Sequence, residues 1–110
     1  MEISTGSRGE VAVVAIAGSV DALTADELTA YLDGRVKEGK VRLVADLSRV
    51  VYVSSAGLRS FLATLKAARQ AGGDLHLAAA QENVQNLLAM AGFTSIMKTY
   101  PDVDTAVADW

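Results

Sequence analysis

The sequence predicts a single α/β domain over residues 1–110, with a mixed sheet of about five strands covered by about four helices. Two observations carry this prediction. Apolar stretches rich in β-branched residues alternate with segments of helical periodicity, and the joints between them are short. The composition agrees, because 51% of the residues are hydrophobic and only 5% are aromatic, which indicates a core of Val, Leu, Ile and Ala.

Five segments have the character of strands. Residues 2–5 and 10–17 predict an N-terminal hairpin, because the turn-forming residues 5–9 separate them. Residues 41–46 are almost continuously apolar, which is typical of a central strand covered on both faces, and residues 47–53 are expected to form a loop. Two more strands are predicted at 75–79, where alternation places His76 near solvent, and at 96–100.

Helical spacing of apolar residues predicts the four helices, at about 25–37, 55–71, 84–91 and 101–109. Leu23 is expected on the apolar face that continues into the first helix, and Thr24 and Glu27 have the spacing of a capping box at its start. Pro101 is expected as the first residue of the last helix. Glycines end the other three, namely Gly39, the pair Gly72-Gly73, and Gly92.

The composition excludes several kinds of site. The net charge of −3 is spread along the chain, which argues against binding of nucleic acid. There is no cysteine and one histidine, so we expect no metal site and no cofactor. No signal peptide and no apolar run of membrane-spanning length is visible, so a cytoplasmic protein without membrane attachment is expected.

The most informative segment is residues 46–59, DLSRVVYVSSAGLR. It resembles the signature of the STAS domain family, found in anti-sigma factor antagonists, whose usual form is Asp-Leu-Ser, a short apolar stretch, then Asp-Ser-Ser/Thr-Gly-Leu-Gly. The segments at 18–21 and 100–106 also fit this family. The order and length of the predicted elements match as well, so the resemblance covers essentially the whole chain.

The resemblance implies a regulatory binding protein that is not an enzyme. In such families the unmodified antagonist binds an anti-sigma factor that is also a histidine-kinase-like ATPase with serine kinase activity, which frees a sigma factor. Phosphorylation at a helix start ends that binding, and a metal-dependent serine phosphatase restores it. Carried over to this chain, the partner-binding residues are Asp21, Asp46, Ser48, Ser54, Ser55, Ala56, Gly57 and Arg59.

The segment departs from the family pattern at the helix start. Ser54 replaces the usual aspartate, Ala56 occupies the common acceptor position and has no hydroxyl, and Arg59 replaces the second glycine. Ser55 is therefore the first candidate for phosphorylation and Ser54 the alternate. Arg59 lies four residues after Ser55, about one helical turn away, where its guanidinium could pair with a phosphate.

Other interpretations of these residues stay open. Ser54 is also a good helix cap, Asp46 could bond loop amides, and Arg59 could be an ordinary exposed arginine. At the level of function, one alternative is a phosphorylation-independent STAS adaptor, such as an accessory subunit of a lipid-transport ATPase or a scaffold in a signalling complex. An enzyme or nucleotide-binding protein is least favoured, because no phosphate loop is visible. Weak homodimerisation is left undecided.

Overall fold

The computed structural model describes all residues 1–110 and confirms the predicted architecture of one α/β domain. Its strands are β1 (Glu2–Arg8), β2 (Val11–Val20), β3 (Arg42–Val53), β4 (Asp74–Ala78) and β5 (Lys98–Tyr100). Its helices are α1 (Ala25–Lys37), α2 (Ser55–Gln70), α3 (Glu82–Met90) and α4 (Val103–Ala108), with a short 3₁₀ helix at Phe93–Ser95.

The five strands form one mixed sheet in the order β1-β2-β3-β4-β5. The predicted N-terminal hairpin is confirmed: β1 is antiparallel to β2 and extends through Arg8, so that the turn is confined to Gly9 and Glu10. Each later neighbour is parallel, because a helix returns the chain to the starting edge of the sheet. The carboxyl ends of β2, β3 and β4 therefore lie at the same end of the sheet.

The sheet is covered unequally on its two faces. One face packs against α1, α2 and α3 through a cluster of 19 buried residues that includes Ile16, Leu32, Phe61 and Leu88. The other face is covered by α4 through a smaller buried cluster that includes Ala106. No helix of the structure is both long and apolar enough to span a lipid bilayer.

The prediction of a loop over residues 47–53 was wrong, because β3 continues through them beside β2. Two register shifts, between Ala15 and Ala17 and between Gly18 and Ser19, interrupt the regular pairing. These irregularities break the alternation of buried and exposed residues that identifies a strand in a sequence. On its other side, the part of β3 after Asp46 has no strand partner, because β4 ends at Ala78. Residues at the start of α3 bond this part of β3 instead: the side-chain amides of Gln81 and Asn83 donate to the carbonyls of Ser48 and Val51, both at 3.0 Å.

The capping box predicted at the start of α1 is also wrong, since Thr24 makes no side-chain cap. Its hydroxyl instead accepts from the amide of Asp21 at 2.9 Å and lies 3.0 Å from the carbonyl oxygen of Ser19, to which it can donate. A threonine hydroxyl that serves the preceding turn is not available to the helix. Leu23 lies in that turn and is 94% exposed, so its predicted place on the apolar face of the helix was wrong too.

At the C-terminal end, Pro101 lies before the helix and not at its first position. Asp102 is the capping residue, and its carboxylate accepts from the amide of Thr105 at 2.7 Å. The docking of α4 also overturns the prediction that His76 lies near solvent. His76 is 1% exposed, its Nδ1 lies 3.0 Å from the carbonyl oxygen of Ala106, and its ring stacks on Trp110 at 3.8 Å.

Candidate functional site at the start of helix α2

The start of α2 is attached directly to the ends of the two central strands. β2 and β3 finish side by side, with Val20 paired to Val53. The next residue, Ser54, donates its amide to the carbonyl of Val20 at 2.8 Å. This bond places the first turn of α2 against the turn that follows β2, so residues far apart in the sequence share one surface.

Gly57 makes this close approach possible. A Cβ atom at Gly57 would lie 2.7 Å from the carbonyl oxygen of Val20 and 2.9 Å from methyl carbons of Val20 and Val53. Such distances are shorter than van der Waals contact, so any side chain here would displace the helix start. The glycine of the signature thus has a packing role, and it is buried.

The two adjacent serines have different environments. Ser54 is the N-cap of α2, with extended backbone geometry, and its hydroxyl oxygen accepts from the amide of Gly57 at 3.3 Å. It is half-buried. Ser55 is the first residue of the helix and is exposed. The capping role thus belongs to Ser54, whereas the hydroxyl-bearing side chain of Ser55 is presented on the surface.

The neighbouring positions of the signature are placed on the same helix start. Ala56 is half-buried, and Arg59 is exposed one turn further along the helix. The guanidinium of Arg59 takes part in no salt bridge within the chain. It is therefore free to interact with a group added at Ser55 or with a partner.

Asp21 lies in the turn that follows β2, next to this helix start. Its carboxylate accepts from the amide of Leu23 at 2.9 Å and lies 3.2 Å from the hydroxyl of Thr24. These bonds fix the path of the chain between β2 and α1. The structure thus brings Asp21 to the same carboxyl-terminal end of the sheet as Ser54 and Ser55 and gives it a local structural role there.

Asp46 and Ser48 are not brought to the helix start. The carboxylate of Asp46 accepts from the amide of Ser48 at 3.0 Å, which is the kind of local role that the sequence left open, although Ser48 belongs to β3 and not to a loop. Both residues, together with Arg49, line a cavity of about 330 Å³. Its other walls come from β1 and β2, on the face of the sheet that α4 covers only in part. A role of Asp46 and Ser48 in partner binding stays a prediction.

Three exposed apolar side chains at the carboxyl-terminal end of β2 and β3 were missed by the sequence analysis. Leu23 is 94% exposed in the turn after β2, and Val51 and Tyr52 are each 54% exposed at the end of β3. The signal in the sequence was weak, because Leu23 fits the helical pattern of α1 and the other two fall in a predicted loop. We call Leu23, Val51, Tyr52, Ser55 and Arg59 the helix-start surface.

No group of three or more His, Asp or Glu side chains is placed to hold a metal ion.

Comparison with known proteins agrees with this architecture. The family model described as the STAS domain matches residues 2–106. BtrV of Bordetella bronchiseptica, provisionally named an anti-sigma factor antagonist, is 32% identical over 98% of this chain and 93% of its own length. The anti-sigma-B factor antagonist of Staphylococcus aureus is 27% identical over 88% of this chain and 90% of its own.

A solved structure gives the same result. The crystal structure of an anti-sigma factor antagonist from Mycobacterium paratuberculosis superimposes with a TM-score of 0.89 at 25% identity, over 97% of this chain and 91% of that one. The chain belongs to the STAS domain family.

Proposed function

We propose that this chain is an anti-sigma factor antagonist that works by partner switching in the cytoplasm and is not itself an enzyme. The unphosphorylated form binds an anti-sigma factor with serine kinase activity, phosphorylation of Ser55 releases that partner, and a metal-dependent serine phosphatase resets the cycle. Membership of the STAS family and the names of the relatives support the class. The single observation that carries the choice of site is that Ser55 is exposed while Ser54 caps the helix.

The helix start suits a phosphate on Ser55. The first amides of an α-helix have no acceptor within the helix, and here only that of Gly57 is satisfied by the cap. The amides of Ser55 and Ala56 lie at the positive end of the helix dipole, which stabilises negative charge. A phosphate of about −1.5 to −2 charges would therefore be accommodated locally, and the switch changes the surface without unfolding the domain.

Arg59 is proposed to hold that phosphate. Residues four apart on a helix lie on the same face, and the Arg59 guanidinium has no competing salt bridge. A guanidinium can bind phosphate oxygens through two parallel hydrogen bonds. In the unphosphorylated form the same side chain is available to a partner.

The apolar members of the helix-start surface are proposed to supply the contact that phosphorylation disrupts. Leu23 lies in the turn after β2 and Tyr52 is the second-last residue of β3, and their exposed area is of the kind that partner proteins bury. A phosphate within such an interface would have to lose its water on binding, which is costly for a charged group. Release of the partner follows from this cost.

Intact-mass measurement after incubation with the cognate kinase and ATP tests the site. We expect the wild type and Ser54→Ala to gain one phosphate each and Ser55→Ala to gain none. If Ser54→Ala alone blocks labelling, the choice of Ser55 is wrong. If the wild type gains no phosphate from a kinase that it demonstrably binds, switching by phosphorylation is wrong.

The second candidate is a STAS adaptor that binds its partner without phosphorylation, because Ala56 removes the hydroxyl at the common acceptor position. The two functions differ in the response of the complex to ATP. A switch loses its partner when ATP is added and keeps it in the Ser55→Ala variant. An adaptor keeps its partner in both cases.

A further inference from the structure

The outer edge of β1 is an unpaired strand of seven residues, and we propose that it pairs with the β1 of a second copy. The strand is at the end of the sheet order, so its outward backbone amides and carbonyls meet no other strand of the chain. The pairing would be antiparallel about a two-fold axis at Thr5, giving a continuous sheet of twice five strands. This inference is independent of the proposed function.

The two edges of the sheet differ in how well they are protected. Edge strands commonly avoid pairing through short length, proline, lysine or a bulge. β5 has only three residues and is followed at once by Pro101. β1 has seven residues without proline or lysine, and its register with β2 is uninterrupted. Five of its seven residues are exposed, so β1 is the edge open to a partner strand.

The length of β1 selects one register. Outward-facing amides alternate along a strand, so residues opposite each other in an antiparallel pair of identical strands must have numbers that add to an even sum. All seven residues find a partner only when that sum is ten. Thr5 then lies opposite its own copy, Ile3 opposite Ser7, Ser4 opposite Gly6, and Glu2 opposite Arg8.

Charge favours the same register. Glu2 and Arg8 are the charged residues of β1, and direct cross-strand neighbours have Cβ atoms about 5 Å apart on one face of the sheet. Symmetry makes two such pairs in each dimer. A slip by two residues in either direction leaves Glu2 or Arg8 without a partner residue.

Arg8 can make this contact without losing its existing one. Its guanidinium bonds the carboxylate of Asp104 at 2.8 Å, on the face of the sheet that α4 covers, and both side chains are substantially exposed. A guanidinium has five N–H donors and can serve a second carboxylate at the same time. Glu2 lies on the same face as Arg8, because both have even positions on the strand.

Charge reversal tests the pairing by sedimentation equilibrium over micromolar to millimolar protein. Glu2→Arg places arginine opposite arginine, and Arg8→Glu places glutamate opposite glutamate. We expect each variant to dimerise on the order of tenfold more weakly than wild type, since two attractive pairs become repulsive. An equimolar mixture of the two variants should dimerise as wild type does, because each then supplies the charge that the other needs. The double variant should also recover.

Asp104→Asn is the matched control, because it removes the existing partner of Arg8 without changing the charges of β1. It should leave the dimerisation constant within about twofold of wild type. A wild-type protein that stays monomeric at millimolar concentration overturns the proposal. So does a dimer that ignores both reversals, or two variants that fail to associate with each other.

Discussion

The position that a Cβ of Gly57 would occupy lies 2.7 Å from the carbonyl oxygen of Val20. This contact joins the start of α2 to the end of β2, and with it the candidate phosphorylation site to the turn that carries Asp21 and Leu23. The geometry of the helix-start surface therefore depends on the absence of one side chain.

Gly57→Ala is expected to lower the free energy of unfolding by about 1–3 kcal/mol, because the added methyl group forces α2 away from β2. Urea denaturation followed by circular dichroism measures this change. Gly34→Ala is the matched control, since Gly34 lies within α1 with no atom within 4 Å of the added Cβ. It should be neutral or stabilising by up to about 1 kcal/mol. Equal effects of the two substitutions would show that the contact with Val20 is unimportant.

Substitution of the two serines should have different effects on the stability of the domain as well as on its phosphorylation. Ser54→Ala removes the cap of α2 and should cost about 1 kcal/mol in the free energy of unfolding. Ser55→Ala removes an exposed hydroxyl and should change it by less than about 0.5 kcal/mol. Denaturant melts of both variants measure the difference. A larger loss for Ser55→Ala would contradict the assignment of the cap.

Leu23→Ser should weaken binding of the anti-sigma factor without changing stability, because the side chain is 94% exposed in the free protein. Loss of one well-buried contact residue at an interface typically costs about 1–2 kcal/mol of binding free energy, roughly a tenfold change in Kd. Met90→Ser is the control, since Met90 is 86% exposed at the end of α3, outside the helix-start surface. Calorimetric titration measures both. Equal affinities for the two variants would remove Leu23 from the interface.

His76 should make stability depend on pH. Burial lowers the pKa of His76 below its ordinary value of 6.5, against the opposing influence of the Ala106 carbonyl and the Asp74 carboxylate. The folded state thus binds this proton less readily than the unfolded chain. The contribution of neutral His76 to the free energy of unfolding is therefore fully present above about pH 6.5, and it is lost as the pH falls below that value.

His76→Gln isolates this effect, because it removes the titrating group and leaves the other acids and bases in place. Between about pH 8 and about pH 5 the wild type should lose more of its free energy of unfolding than the variant. Charged groups near the ring, Asp74, Lys98 and Asp109, are unchanged in the comparison. Parallel pH curves for the two proteins would contradict the prediction.

The number, type and order of the elements were predictable because they depend on local patterns. Periodicity identified five strands and four helices, and Gly92, at a φ of +80°, ends α3 as expected. Other predictions failed where a competing local turn or a tertiary contact replaced the expected local preference. Thr24 serves the turn of Asp21 instead of capping α1, and His76 is buried because α4 packs over a strand whose alternation pointed it toward solvent.

The candidate site shows the same division. By itself the sequence determined the family signature, the alanine at the common acceptor position, and the pair of serines that are the candidate acceptors. The family pattern ranked Ser55 before Ser54, but the sequence could not say which of them caps the helix, since a serine at either position can cap a helix or carry a phosphate. Only the tertiary structure decided which serine caps α2, because the bond from the Ser54 amide to Val20 sets where the helix begins. Ser55 is exposed at that helix start, and the exposed Leu23 lies in the turn after the neighbouring strand β2, a placement that no local pattern indicates because it depends on the pairing of β2 with β3.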